Sequence, residues 1–444
     1  MDQRQAARLG VFVCASRPSH DTRRPATPVS QAPTPQTDRH ARSSVFGSLR
    51  GFNFRVWTAG GLVSNIGTWM QRIAQDWLVL TELTHHNATA LGVTVALQFV
   101  PQLLFLPWTG HVADSFDRRR LLMATQIGQG LLALGLGLVT LTGVVTLWQV
   151  YVFAFALGSV SAFDAPARQV FVNELVGEGQ LANAVALNST TFNMARMIGP
   201  AIAGLLIAGV GSGWVFIVNA LSFAAVLAAL MLLRPGEMQP QTRHPRSGRG
   251  LSEGLRYVAA RQRLLVALGM VFLMGTFGLN FSIYIPTMVV GSFHGNASLY
   301  GLLTSSFAVG SVLGALYSAR NAQPSLRLLG YSSGAFGIGC ALAALAPGPD
   351  WFALALVPTG FAALLFMTAS NSFMQLESEP RLRGRVMALR LAVAAGATPL
   401  GSLLVGLVAD HAGPRWGLGV GALAGVAGLA VGMRYRRRRR RAPA

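Results

Sequence analysis

Runs of about 20 apolar, almost uncharged residues recur along this chain, and they restrict its fold more than any other feature of the sequence. A helix of about 20 residues spans the roughly 30 Å hydrocarbon core of a bilayer. Inside lipid each backbone amide must be bonded within its own segment, so such runs read as membrane helices. They fall near 54–80, 90–113, 121–142, 147–165, 185–208 and 214–233, and after a polar connector near 264–290, 299–317, 328–345, 352–373, 386–408 and 416–433. The expected fold is an all-α membrane protein of about twelve transmembrane helices. Composition agrees: 52% of the 444 residues are hydrophobic and 12% charged, where a soluble domain carries about 25% charged residues.

The charges orient the chain. All 36 basic residues are arginine, and the formal net charge is +20. Without lysine there is no phosphate-binding loop of the G-x-x-x-x-G-K-[ST] type, hence no ATPase domain of that kind, and no lysine Schiff base. Cys14 and Cys340 cannot form a disulfide framework. Alternate connectors carry Arg118, Arg119, Arg120, Arg168, the seven arginines from Arg234 to Arg263, Arg320, Arg327, Arg381, Arg383 and Arg385; the opposite connectors hold only Arg415. Positive residues resist translocation, so the basic side, with both termini, is expected in the cytoplasm of a bacterium whose inner membrane holds the chain. The run Arg436 to Arg441 reads as a topological lock on anionic lipid and not as a nucleic-acid patch.

Five segments follow. Residues 1–48, rich in Pro, Ser, Thr, Gln and Arg, read as a disordered cytoplasmic tail. The apolar stretch 9–15 behind Arg4 and Arg8 is short for a signal peptide. Residues 49–233 form a first six-helix half, 234–263 a cytoplasmic connector, 264–433 a second half and 434–444 a basic tail. In the connector Leu251, Leu255 and Val258 share a helical face, which suggests a helix on the membrane surface. The halves repeat: Gly199 and Gly204 recur as Gly401 and Gly406, Ala186-Leu187 as Ala388-Leu389, and Gly92 matches Gly301. Two pseudo-symmetric halves joined by a long connector suit a carrier that rocks around a midplane site.

Between the second and third spans the chain reads Gly110-His-Val-Ala-Asp114-Ser-Phe-Asp117-Arg118-Arg119-Arg120. This resembles the loop signature G-x-L-A-D-R-x-G-R-[KR] of the major facilitator superfamily, with departures at Ser115 and Asp117. Gly199-Pro200-Ala-Ile-Ala-Gly204 is similar to the antiporter motif of its exporters. Gly67-Thr-Trp-Met-Gln-Arg-Ile-Ala-Gln-Asp-Trp77, Asp164-Ala-Pro-Ala-Arg168, Asn183-Ala-Val-Ala-Leu-Asn188 and Arg383-Gly-Arg-Val-Met387 narrow the resemblance to the enterobactin-exporter-like branch, or transmembrane secretion effectors. It covers roughly residues 50 to 433 and implies the major facilitator fold.

The resemblance implies a cytoplasmic gate built on Gly110, Asp114, Asp117, Arg118 and Arg119, with Arg118 or Arg168 as partner of Asp114 and Asp164–Arg168 as a structural or gating pair. It implies that Gly199, Pro200 and Gly204 seal the cavity; plain helix packing is the other reading of those glycines. Arg72, Asp76 and Arg196 fall at membrane depth, where ionisable groups are costly and face a cavity or a partner. Asp76 is a candidate proton carrier, and Arg72 or Arg196 could tune it or bind an anionic substrate. A fixed Arg72–Asp76 ion pair is the competing reading of their spacing. His85 and His86 near Glu82 read as a polar loop, since a metal needs further ligands. No catalytic set and no cofactor fingerprint is found. The expected activity is proton-coupled export of small amphiphilic molecules, such as siderophores, drugs or secondary metabolites, by a monomer. The alternatives are an importer on the same fold and a membrane sensor or partner subunit.

Overall fold

The computed structural model describes residues 47–239, 250–321 and 323–441. The proposed tail up to residue 46, Arg243, Arg246 and Arg249 of the connector, and the side chains of Asp114, Leu251 and Arg436 to Arg441 lie outside the described set.

Regular structure among the described residues is helical. The first half contains α1 (Phe52–Trp77), α2 (Ala88–Leu104), α3 (Leu106–Ser115), α4 (Arg118–Leu141), α5 (Leu147–Leu175), α6 (Leu181–Val210) and α7 (Ser212–Leu232). The connector forms α8 (Gly250–Ala260). The second half contains α9 (Gln262–Leu273), α10 (Phe281–Gly291), α11 (Ala297–Asn321), α12 (Leu326–Ala344), α13 (Pro349–Glu377), α14 (Arg383–Ala412) and α15 (Pro414–Arg441). Nine spans among the described residues are long and apolar enough to cross a membrane, with α9 and α10 counted as one. The polar α1, α2 continued by α3, and the Gly/Ser-rich α12 complete twelve.

Local sequence sets the helix ends. The Asn87 side chain accepts from the Ala90 N–H at 2.8 Å at the start of α2, and Asp117 accepts from the Arg120 N–H at 2.8 Å at the start of α4. Each such cap satisfies a donor that has no partner inside the helix. Thr146 and Gln149 form a reciprocal capping box on α5. α6 ends at Gly211 (φ 88°) and α14 at Gly413 (φ 96°), the same position in each half and a conformation that residues with a Cβ rarely adopt.

The two halves meet along α2 with α14 and α6 with α11. Four glycines make these seams. A Cβ on Gly92 would lie 2.4 Å from the Ser402 carbonyl oxygen, and one on Gly406 2.6 Å from that of Ala88. In the other seam the distances are 2.6 Å from Gly204 to the Ala297 oxygen and 2.3 Å from Gly301 to the Pro200 oxygen. Only glycine permits such backbone approach without displacement. Ser402 Oγ donates to the Gly92 carbonyl at 3.0 Å, and Ser298 Oγ to that of Gly204 at 3.3 Å.

All of these contacts lie at the end away from the arginine-rich connectors. There Asp410, at the end of α14, accepts from the Ala88 N–H at 2.7 Å, the Thr89 N–H at 2.8 Å and the Thr89 hydroxyl at 2.5 Å. A carboxylate of one half thus caps the positive end of α2 in the other. Arg415, the one arginine on this side in the sequence reading, donates to the Ala344 and Ala346 carbonyls at the end of α12.

At the arginine-bearing end the ion pairs among the described residues stay within the first half or within the connector, or tie the connector to the second half. Arg118 pairs with Glu174, and Arg168 with Asp164 at 3.1 Å. Glu253 of α8 pairs with Arg385 at 2.5 Å, Arg263 with Glu377 at 2.8 Å, and Arg261 with Glu379. The connector helix forms, but its expected apolar face is divided: Val258 is buried in the second half, whereas Leu255 is 54% exposed. Ion pairs and packing against the second half hold α8, a contribution that the sequence pattern does not convey. On α6, Ala186, Ser189 and Thr190 are exposed, and Gly110 and Gly384 have open space where a Cβ would be. The glycine seams and Asp410 thus join the halves at the far end, and among the described residues no ion pair joins the two halves at the arginine-bearing end.

Candidate transport cavity

Between the halves lies a cavity of about 300 Å³ whose walls include Trp69, Arg72, Asp76, Phe99, Arg196, Asn280, Phe281, Tyr300, Thr304, Phe307, Met367 and Thr398. Both halves contribute, as a carrier with a shared midplane site requires. The volume is at the lower end of the range for small-molecule sites.

α1 supplies the charges. Arg72 and Asp76, four residues apart, both line the cavity. They nevertheless form no ion pair; the pairs among the described residues involve other partners. Asp76, 3% exposed, accepts a hydrogen bond from the Tyr300 hydroxyl of α11 at 2.9 Å, a contact across the two halves. Tyr300 also stacks on Trp77, with ring centroids 6.3 Å apart. The Arg72 guanidinium lies over the Trp69 indole, 5.0 Å from its centroid. Arg196 of α6 lies 5.6 Å from the same indole and 5.5 Å from the Phe307 ring. The three ionisable residues expected from the sequence therefore share one site; aromatic rings and a tyrosine make their direct contacts, and Arg72 and Asp76 attract one another at longer range.

A break in the seventh span shapes the opposite wall. Met274–Gly278 winds as a π-helical turn, and Leu279 and Asn280 leave helical geometry before α10 begins. Such turns recur at functional sites, and irregular backbone at membrane depth is tolerated where it borders a cavity. Asn280 Nδ2 donates to the Thr276 carbonyl at 2.7 Å, and the Tyr284 hydroxyl to that of Phe277 at 2.5 Å, satisfying acceptors near the break. α14 presses on it through Gly401, where a Cβ would lie 1.7 Å from the Thr276 oxygen. Gly199 does the same for α1, with a Cβ position 2.7 Å from Trp69 Cβ. The first glycine of each repeated pair thus packs within its half and the second packs between halves.

The residues expected at the cytoplasmic gate are not gathered into one cluster. Asp117 caps α4, Arg119 donates to the Leu230 and Met231 carbonyls at the end of α7, and Gly110 has free space. Asp164 accepts from Thr125 Oγ1 (2.7 Å), Gln126 Nε2 (2.8 Å) and Arg168 Nε (3.1 Å). Arg118 and Arg168, the expected partners of Asp114, are engaged by Glu174 and Asp164. Sequence reasoning missed Tyr300, Phe307, Asn280, Glu174 and Asp410. The GTFGLN interruption of the seventh span was the one available signal for Asn280.

The profile of the family described as "Transmembrane secretion effector" matches residues 43–443. The chain belongs to that family. Among curated proteins, this secretion effector is similar to the "Staphyloferrin A transporter" of Staphylococcus aureus, 27% identical over 351 residues, covering 78% of this chain and 86% of the relative. It is similar also to the "Multidrug efflux pump Tap" of Mycobacterium tuberculosis, 28% identical over 369 residues, covering 79% and 86%. A solved POT family transporter in complex with 5-aminolevulinic acid superposes with a TM-score of 0.70 at 12% identity, over 88% of this chain and 96% of that one. That likeness shows the fold. The effector is a multi-pass membrane transporter with the major facilitator architecture, and its family and relatives are transporters, not enzymes.

Proposed function

We propose that this secretion effector exports small amphiphilic molecules from a bacterial cell by alternating access, driven by the proton gradient and working as a monomer in the inner membrane with both termini in the cytoplasm. One observation carries the reading: a cavity shared by the two halves, holding Asp76, Arg72 and Arg196, is sealed at the far end by the paired glycine seams and Asp410. With the arginine-bearing end read as cytoplasmic, a cavity sealed at the far end is one that can take up cargo from inside the cell. Residues 49–233 and 264–433 act as the two rocking bodies, and 234–263 links them. Asp76 is the proton carrier: it is the carboxylate on the cavity wall, and Tyr300 connects it to the other half. The gate at Gly110, Asp114 and Asp117 to Arg119 closes the cytoplasmic side in the alternate state, when Arg118 and Arg168 are free to exchange partners. Gly204 and its repeat Gly406, with the Pro200 carbonyl against Gly301, seal the outer side in this one, while Gly199 seats α6 on α1. The names of the relatives, a siderophore transporter and a multidrug efflux pump, support export of amphiphiles.

The test is accumulation of a labelled catecholate siderophore, a macrolide and a cationic dye in an efflux-deficient bacterium expressing the protein, with and without an uncoupler. Lower accumulation of one compound, abolished by the uncoupler and by Asp76→Asn, is expected. Export that persists at full rate in Asp76→Asn removes Asp76 from the coupling role.

A further inference from the structure

Arginines held inside this protein are normally spent. Arg390, 7% exposed, donates to Ser370 Oγ and the Met367 carbonyl; Arg119 reaches two carbonyls; Arg168 and Arg118 meet carboxylates. Arg72 and Arg196 are different. Both line the cavity, and both touch aromatic faces, yet among the described residues neither donates a hydrogen bond or forms an ion pair. Each guanidinium carries five N–H donors. Two such cations at membrane depth, facing one carboxylate that is already bonded to Tyr300, leave the cavity with surplus positive charge and unused donors.

Their arrangement is a ladder. Arg72 lies over the Trp69 indole, and Arg196 is held between Trp69 and Phe307. Phe307 in turn stacks on Phe281, with centroids 3.9 Å apart and planes 26° apart. Cation–π contacts hold each guanidinium by its face and leave its N–H edge free. Both guanidiniums lie against one indole and line one cavity, so a ligand in that cavity has two cations on its wall.

We infer that Arg72 and Arg196 form an anion-binding subsite, and that the cargo of this transporter is an amphiphilic organic anion with a carboxylate on an aromatic or apolar body. The carboxylate takes the guanidinium edges, and the body lies along Phe281 and Phe307. This rests on the export reading and adds the substrate class to it. An anionic cargo suits the direction, because an inside-negative membrane potential favours outward movement of negative charge.

The experiment uses the full chain in lipid nanodiscs and three probes on one ring system: 2-naphthoate, 2-naphthalenemethanol and 2-naphthylmethylamine. Calorimetry is expected to show naphthoate binding about 10- to 100-fold more tightly than the alcohol or the amine, the range expected of hydrogen bonds to a charged group. Arg72→Gln and Arg196→Gln should each remove most of that preference, and Arg196→Lys should keep part of it. Unchanged thermal unfolding of the unliganded variants separates loss of the subsite from loss of the fold. Equal binding of the three probes, preference for the amine, no naphthoate binding at millimolar concentration, or arginine variants that bind like the parent would each overturn the inference. A protein that exports a dye in uncoupler-sensitive fashion but ignores naphthoate keeps the export reading and loses the anion site. Arginine-dependent naphthoate binding without export in cells leaves the reverse.

Discussion

Replacing Asp410 with alanine should open the outer side of this transporter. In the closed seam the carboxylate accepts from two backbone N–H groups and one hydroxyl at 2.5 to 2.8 Å, all at the first turn of α2. Hydrogen bonds to a charged group contribute about 1.5–3 kcal/mol each where sheltered, and a carboxylate at a helix N-terminus about 0.3–2 kcal/mol. Asp410 is exposed, so solvent competes for these groups, and about 2 kcal/mol is a fair net value for the whole contact. That corresponds to a shift of about 30-fold in the ratio of outward-open to inward-open molecules. The second seam, at Gly204 and Gly301, remains intact in the variant, so the fold should survive. Spin labels at Val144→Cys and Trp351→Cys, both exposed at the far end on opposite halves, report the opening by pulsed electron resonance in a Cys14→Ser, Cys340→Ala background. The expected result is growth of a longer-distance population in Asp410→Ala and a smaller change in Asp410→Asn. Identical distance distributions in parent and variants would refute the claim that this contact holds the outer side shut.

Other consequences can be checked with similar means. Gly301→Val puts a side chain where even a Cβ would lie 2.3 Å from the Pro200 oxygen; overpacking of about 1–3 kcal/mol should favour the outward-open state, read with the same labels. Tyr300→Phe removes the hydroxyl that bonds Asp76, and a loss of about 1.5–3 kcal/mol at a charged acceptor predicts gradient-driven export at least about tenfold slower, with normal amounts of protein in the membrane. Arg385→Gln breaks the tie to Glu253 at a partly exposed site, so the thermal midpoint should change little, in keeping with a cost of about 0–1 kcal/mol.

The fold was legible because lipid imposes simple rules. Apolar length located the twelve spans, and the arginines marked one side throughout. The repeated glycines were visible as a repeat, but their work was not: nothing local distinguishes Gly199, which packs on α1, from Gly204, which meets the other half. Arg72, Asp76 and Arg196 stood out as charges in apolar runs, and the structure places all three on one cavity wall. Their spacing allowed a close ion pair; in the structure Asp76 bonds Tyr300 and Arg72 lies on Trp69, and the two charges interact only at longer range. Tyr300 and Phe307 could not be foreseen, since an aromatic residue facing a cavity looks the same in sequence as one facing lipid. Asp410 escaped for a different reason: its partners at α2 are 321 and 322 residues away, and only the folded halves bring them together.

The most direct test of the central claim uses the purified protein in liposomes with an acidic exterior and an inside-negative potential, loaded with a labelled amphiphile that cells expressing it fail to accumulate. Because orientation in liposomes is mixed, only molecules whose termini survive protease added outside should be scored. With the label at equal concentration inside and outside, the account predicts net exit of cargo while protons enter, and that Asp76→Asn abolishes both fluxes. Cargo moving inward with protons, or leaving at the same rate without a gradient, would contradict it.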